Sequence, residues 1–374
     1  MTKSTSKKIM FLCRALSIGG AERQLIHLAT GLQKTGHTIT ILTFYKAADD
    51  YPTDGIKVIV LAKKSRWDVF SFLNTLHKTI RAENADIIYS FLCIPNILMC
   101  LFKAFRLLPH ERVVIGFRGS FMKWSDYSYL EWLTAKIEAR FARFADVAIA
   151  NSHAGLTELT RRGFKTKQIY VVPNGIDTET FRPNAEGGLA WRARHNIPQT
   201  IPLVAIVARL DPMKDHTMFL TMAKIIYEQN KTTYFTIVGS GKSDYAVQLK
   251  LFQNQIGLPA DHVYWIDCGS DINYNAFNVV CSTSAYGEGF SNVLCETLSS
   301  GIPCFATNVG DAGLILNDDR YIVEPGDAIC MSQKVLKQLN VPANINTINM
   351  LRGKITNHYS LTKMVCDTKK IVLD

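Results

Sequence analysis

The chain has 374 residues, 47% of them hydrophobic, and a formal net charge of +10. That length exceeds one ordinary domain and points to two, and that apolar content excludes wholesale disorder. The charge is lopsided, with 25 Lys/Arg against 15 Asp/Glu in residues 1–180 and 17 of each in residues 181–374; an anionic partner for the first half, or a merely basic soluble surface, would account for it.

Met1 to Lys8 is polar and basic and lacks the apolar core of a signal peptide. Ile9–Cys13 reads as a first strand, followed by Gly19-Gly20 and a helix from Glu22 to Lys34 that ends at Gly36-His37. Strands follow at Thr38–Phe44, Lys57–Leu61, Asp86–Phe91, Val113–Phe117 and Val147–Ala150, with helices between them and a long one over Tyr129–Phe144. The longest apolar run, Ile87–Phe102, is interrupted by Pro95 and Asn96. It is too short for a membrane span of about 20 residues and suits a buried strand leading into an apolar helix.

The pattern restarts with Val171–Ile176 as a short strand breaking into a turn. Strands are expected at Leu203–Ala208, Tyr234–Val238, Val263–Ile266, Val279–Ser282 and Pro303–Ala306, with a helix over His216–Glu228. Short apolar strands alternating with amphipathic helices mean parallel, doubly wound α/β sheets. The predicted domains are 1–180 and 181–357, with a last helix over 358–374 returning to the first. Two such domains would face one another across a cleft, with ligands at the carboxyl ends of the strands. The nine cysteines, Cys13, Cys93, Cys100, Cys268, Cys281, Cys295, Cys304, Cys330 and Cys366, include no Cys-x-x-Cys spacing. They read as buried free thiols in a reducing compartment, so the expected location is cytoplasmic.

The sharpest motif is Gly287-Glu288-Gly289-Phe290-Ser291-Asn292-Val293-Leu294-Cys295-Glu296. Glu288 sits in a Gly-rich loop and Glu296 early in the helix that follows. Helical side chains lean toward the N-terminus, so both carboxylates can reach one ligand, and the helix start offers free amides. One acid suits sugar hydroxyls and the other ribose hydroxyls; a surface loop acid and a helix-dipole partner are the plain alternative. Ala208-Arg209-Leu210-Asp211-Pro212-Met213-Lys214 follows a predicted strand, and its two cations can converge on a diphosphate. Ser17-Ile18-Gly19-Gly20-Ala21-Glu22-Arg23 lets a ligand approach the first helix but is not the Gly-x-Gly-x-x-Gly of dinucleotide oxidoreductases.

Together with Val172-Pro173-Asn174-Gly175-Ile176-Asp177, Phe181-Arg182-Pro183 and Asn308-Val309-Gly310, these motifs resemble family 4 glycosyltransferases of the GT-B fold over nearly the whole chain. The resemblance implies a retaining hexosyltransferase, acting on a nucleotide diphosphate sugar, UDP being favoured. A glycan or glycolipid acceptor in surface polysaccharide or lipopolysaccharide assembly is implied with it. Arg209 and Lys214 would hold the diphosphate, and Glu288 the donor sugar. Gly289, Phe290, Ser291 and Asn292 would present backbone groups, Glu296 would bind ribose with Val293 and Leu294 beside it, and Gly19 and Gly20 would close over the phosphates. Many relatives carry a histidine where this chain has Arg118 in Phe117-Arg118-Gly119; Arg118 reads equally as an acceptor-side group or a structural one, and His153 as a helix-cap residue.

No Asp-x-Asp occurs, so no metal and no other cofactor is expected. An epimerase of the same fold and a silent nucleotide-sugar-binding protein remain as alternatives. Lys63-Lys64-Ser65-Arg66-Trp67, Arg161-Arg162 with Lys165 and Lys167, and the aromatics Phe70, Phe72, Phe121 and Trp124 with Met122 near Lys123 suggest peripheral attachment to an anionic inner membrane face. No nucleic-acid recognition motif accompanies those charges.

Overall fold

The computed structural model describes the chain apart from residues 1–5, 18, 47–50, 54, 64–67, 119–127, 242, 268, 270, 342–343 and 374. Ile18, Lys64, Ser65, Arg66, Trp67, Gly119, Phe121, Met122, Lys123, Trp124 and Cys268, all singled out above, lie outside the described residues. The chain forms two compact units, Met1–Gly175 with Leu361–Asp374, and Ile176–Ser360.

Unit one is built on a parallel sheet of β1 (Lys8–Cys13), β2 (Thr38–Thr43), β3 (Lys57–Val60), β4 (Ile87–Phe91), β5 (Arg112–Phe117), β6 (Val147–Ala150) and β7 (Ile169–Val171), in the order β3-β2-β1-β4-β5-β6-β7. Its helices include α1 (Gly20–Lys34), α2 (Phe70–Glu83), α3 (Cys93–Ala104), α4 (Tyr129–Phe141) and α5 (His153–Arg161). Strand side chains alternate between two covered faces. Ile9, Phe11 and Cys13 join Leu25, Leu28 and Leu32 of α1 on one face. Met10 and Leu12 join Phe72, Leu76 and Ile80 of α2 and Met99 and Cys100 of α3 on the other. Both faces being dry is why the strands read as unbroken apolar runs.

Unit two has the parallel sheet β8 (Leu203–Val207), β9 (Tyr234–Val238), β10 (Val263–Ile266), β11 (Val279–Ser282), β12 (Cys304–Thr307) and β13 (Ile322–Val323), ordered β10-β9-β8-β11-β12-β13. Around it lie α6 (Ala185–Arg194), α7 (His216–Gln229), α8 (Ser243–Gln255), α9 (Asn292–Ser299), α10 (Ala312–Leu316), α11 (Ala328–Leu339) and α12 (Ile345–His358). The last helix, α13 (Leu361–Leu373), belongs to unit one and packs on α1. Gly31 makes that close approach possible, since a Cβ there would lie 2.3 Å from Val365 Cγ2.

Several boundaries differ from the sequence expectation. The chain leaves unit one at Gly175–Ile176 and re-enters it at Ser360–Leu361, not at 180 and 358. The reason is packing: Val172 lies in the unit-one core, and Gly175 exchanges two 2.9 Å hydrogen bonds with the buried Gln24 amide. Ile176 instead joins the unit-two core and donates its N–H to Tyr359 O at 2.8 Å. The expected strand Val171–Ile176 is shifted, with β7 ending at Val171 and Pro173, lacking an N–H, just beyond it. The polar stretch 340–357 is largely helix, because Leu351 and Ile355, one turn apart, are buried as α12 packs on α9. The helix from Tyr129 is α-helical only to Phe141 and tightens to a 3₁₀ turn over Ala142–Phe144.

Two of the proposed surface features also change. Phe70 is 89% exposed, but Phe72 is core and packs edge-on to Phe44, since residues two apart on a helix point to different sides. The cluster Arg161-Arg162 with Lys167 is not a free cationic patch. Both arginines pair with Glu158, and Lys167 pairs with Asp146.

Candidate active site

In unit two the chain winds outward from β8 through β9 to β10 on one side and from β11 through β12 to β13 on the other. The switch point is therefore between β8 and β11, the place where ligands of doubly wound sheets sit beyond the carboxyl ends. The loop after β8 is fixed by its own caps. Asp211 accepts from Met213 N at 2.9 Å and starts the 3₁₀ turn Pro212–Lys214. Asp215, in the left-handed region at φ 46°, accepts from Met218 N at 2.9 Å and caps α7.

The loop after β11 stitches itself to that turn. Thr283 Oγ1 donates to the carbonyls of Lys214 (2.9 Å) and Asp215 (3.0 Å), and Ala285 N donates to Met213 O at 2.9 Å. With the two main chains registered, Lys214 Nζ forms an ion pair with Glu288 Oε1, which also accepts from Ser284 Oγ at 2.7 Å. Both side chains are mostly shielded, 20% and 13% exposed, so each charge depends on the other more than a surface pair would. Arg209 is exposed, and its guanidinium takes no hydrogen bond or ion pair among the described residues. The structure thus joins Lys214 to Glu288 and leaves Arg209 apart at the same edge.

The Glu288 backbone is held from below by the loop after β12. Gly310, at φ 64°, lies so close that a Cβ would be 2.6 Å from the carbonyl oxygens of Glu288 and Gly289, and Asp311 N donates to Gly289 O at 3.0 Å. Ser291 caps α9, accepting from Leu294 N at 3.4 Å. Ser291, Asn292 and Val293 are half-buried, whereas the Phe290 and Leu294 side chains belong to the core; these two can offer a ligand only main chain. Glu296 is 4% exposed, and its Oε2 accepts from the Tyr274 hydroxyl at 2.8 Å. Tyr274, on a 3₁₀ turn between β10 and β11, escapes sequence reasoning. Its only signal is an aromatic in a polar Asn-Tyr-Asn run. Thr283 and Ser284 carry a sequence signal only as two hydroxyls directly after a core strand.

His216, next to this turn, is fully buried, and neither ring nitrogen makes a hydrogen bond of good geometry among the described residues. Burial first, and the Lys214 charge second, push its pKa down to about 4, with Asp215 and Asp211 opposing. Its ring is neutral near pH 7, so Lys214 and Arg209 are the cations of this loop.

In unit one, Gly19 is the extended N-cap residue of α1 and Gly20 its first residue; Tyr51 Oη donates to Gly19 O at 3.2 Å. Burial holds the nearby Glu22 carboxyl above its ordinary pKa. Arg118 follows β5 and is 7% exposed, with Nη1 donating to Asn174 Oδ1 at 2.9 Å, Nη2 to Tyr89 Oη at 3.4 Å, and its guanidinium carbon 5.2 Å from the centre of the Phe91 ring. His153 opens α5 behind Ser152, which does the capping by accepting from Gly155 N at 2.9 Å.

Comparison with known proteins agrees with this geometry. Residues 18–180 match the family described as Glycosyltransferase Family 4, and residues 189–349 that described as Glycosyl transferases group 1. The chain is 28% identical to an Escherichia coli UDP-Gal:alpha-D-GlcNAc-diphosphoundecaprenol alpha-1,3-galactosyltransferase over 55% of its own length and 54% of the relative's. It thus spans about half of that relative. A Campylobacter jejuni GalNAc-alpha-(1->4)-GalNAc-alpha-(1->3)-diNAcBac-PP-undecaprenol alpha-1,4-N-acetyl-D-galactosaminyltransferase is 25% identical over 89% of each chain. The Anabaena protein HepE, solved with UDP and glucose, superposes with a TM-score of 0.82 at 18% identity, covering 98% of this chain and 99% of that one, and shows the shared fold. With both halves of the family matched and two parallel Rossmann-like sheets in place, the chain belongs to the family 4 glycosyltransferases of the GT-B fold.

Proposed function

We propose that the chain is a retaining, metal-independent transferase moving a sugar from a UDP-sugar to a lipid-linked or glycan acceptor in surface polysaccharide or lipopolysaccharide assembly. The observation that carries this reading is the Lys214–Glu288 pair at the unit-two switch point, beside the exposed Arg209 and the amides at the start of α9. Lys214 and Arg209 supply fixed positive charge where the leaving diphosphate gains negative charge. Glu288, oriented by Lys214 and Ser284, has one oxygen committed to them and the other to offer a sugar hydroxyl. Glu296, held by Tyr274, accepts from ribose hydroxyls. The bond from the anomeric carbon to the diphosphate oxygen breaks as the acceptor oxygen bonds to the same face, and the acceptor proton passes to the departing phosphate. No side-chain nucleophile enters that sequence, and the protein's part is positioning and charge.

UDP is supported by the UDP-Gal donor of the Escherichia coli relative, and the lipid-linked acceptor by the undecaprenol-linked acceptors of the Escherichia coli and Campylobacter relatives. Working at the inner membrane face is supported by uncovered apolar side chains on the basic unit: Phe70 at the start of α2, and Tyr129, Leu130, Trp132 and Leu133 at the start of α4, with Lys136 over the Trp132 ring. Among the described residues no helix is long and apolar enough to cross a membrane. The test is a thermal-shift screen against UDP, GDP, ADP and their sugars, followed by donor turnover with and without acceptor in excess EDTA. Stabilisation by UDP and acceptor-dependent, EDTA-resistant transfer are expected. Acceptor-independent conversion of the donor sugar would indicate an epimerase, and binding without turnover a silent protein. Sedimentation with anionic liposomes at low salt, but not with neutral ones, checks the membrane assignment.

A further inference from the structure

Arg118 is the most conspicuous charge in unit one that the reaction above does not use. It is 93% shielded, yet its partners are an amide oxygen, a phenol and an aromatic ring. No carboxylate pairs with it among the described residues. A guanidinium has five N–H donors; among the described residues two bonds are made, one of them long, and Nε makes none. Buried cations are normally paired, because desolvation without a counter-charge is costly. The Tyr89 hydroxyl cannot fill that role as a phenolate, since burial raises its pKa.

The surroundings hold the group rigidly and at the right edge. Arg118 directly follows β5, at the carboxyl end of the sheet and one strand from the β1/β4 switch point. Its partner Asn174 precedes Gly175, whose N–H and C=O are both fixed by Gln24. A pre-positioned fork with spare donors is suited to a tetrahedral oxyanion.

We propose that Arg118 recognises a phosphoryl oxygen of the acceptor, so that this chain selects acceptors whose sugar is linked through phosphate or diphosphate. The inference rests on the glycosyltransferase reading for the identity of the acceptor side. The anion site itself stands on the geometry of unit one.

The test uses the full chain and two synthetic acceptors with the same sugar and the same alkyl chain, one joined through a diphosphate and the other by a direct glycosidic bond. Wild type should prefer the diphosphate acceptor. Arg118→Gln should lower the ratio of kcat/KM for the two acceptors by about 10–100-fold, the scale of one lost charge-assisted hydrogen bond, and Arg118→Lys should restore part of it. An unchanged ratio, whatever the absolute loss, would overturn the proposal and leave Arg118 as a tie between the β5 end and the Asn174 turn. A rise in donor KM with an unchanged ratio would overturn it in favour of a donor-phosphate role. A second arm needs no turnover: calorimetry with inorganic pyrophosphate on the Arg209→Gln protein, which weakens the donor site. Binding there that disappears in Arg118→Gln/Arg209→Gln supports the anion site even if no transfer is found, in which case only the enzymatic reading fails. Equal binding by the two proteins overturns the site. Arg118→Lys in the same background covers the case in which the glutamine variant does not fold.

Discussion

The carboxyl edges of the two sheets handle positive charge differently. In unit two, Lys214 is matched to Glu288 and the loops carrying them are sewn together by Thr283 and Ala285. In unit one, Arg118 is held by Asn174, Tyr89 and Phe91, all neutral, and the helices starting at that edge leave Phe70 and Tyr129 uncovered. A preformed pair keeps its charge in place whether or not a ligand is bound. A cation among neutral groups has its electrostatic needs met only when an anion arrives. The first arrangement suits a substrate part common to every turnover, and the second suits selection among acceptors.

The largest expected effect separates the two cations within unit two. Lys214→Ala and Arg209→Ala should each lower turnover by about 10²–10³-fold, as for loss of one preorganised charge donor. Only Lys214→Ala should also lower the melting temperature, because it strands the shielded Glu288 carboxylate. Full activity in either variant, or an equal melting-point loss in both, would break the contrast between paired and unpaired cations.

Acid should weaken unit two through His216. Its folded pKa of about 4 lies below the ordinary 6.5, so the unfolded chain takes up a proton as pH falls through 6.5 and the folded one does not until about 4. Stability should therefore drop across that window by about 3 kcal/mol from this group. Denaturant titrations at pH 7, 5.5 and 4.5 should show a shallower loss in His216→Gln. A parallel loss in both proteins would assign the pH dependence elsewhere.

A third measurement divides the glutamates. Glu296→Ala should weaken free UDP binding by about 10–100-fold, and Tyr274→Phe by less, since the carboxylate remains but loses one charge-assisted hydrogen bond. Glu288→Ala should lower transfer more than it lowers UDP affinity. Equal UDP affinity in wild type and Glu296→Ala would show that Glu296 serves only the core around Tyr274. The smallest effect is a null one: transfer rates should be unchanged by excess EDTA, and rescue by magnesium or manganese after EDTA inhibition would mean that Lys214 and Arg209 do not replace a metal.

Much of this was legible in the sequence because the sheets are dry on both faces, so strands such as Leu203–Val207 appear as unbroken apolar runs. The loops after β8 and β11 were legible because their charged residues stand next to those runs. What was not legible depends on partners far away in the chain. Arg118 and Asn174 are 56 positions apart, and Tyr274 and Glu296 are 22 apart and joined through a 3₁₀ turn. Helix α12 was hidden because only Leu351 and Ile355 are buried in it, too few to mark an amphipathic stripe.

The return of α13 has a consequence for biosynthesis. Met364, Val365 and Val372 complete the apolar layer that α1 begins, yet residues 176–360 lie between Gly175 and Leu361 in the chain. At ribosomal speeds of about 5–20 residues per second, that layer waits roughly 10–40 s for its cover after β7 has been made. Unit two, one uninterrupted segment, can close first. The order of completion on the ribosome is thus the reverse of the order of synthesis, and the exposed face around Gly31 is where a chaperone would be needed in the interval.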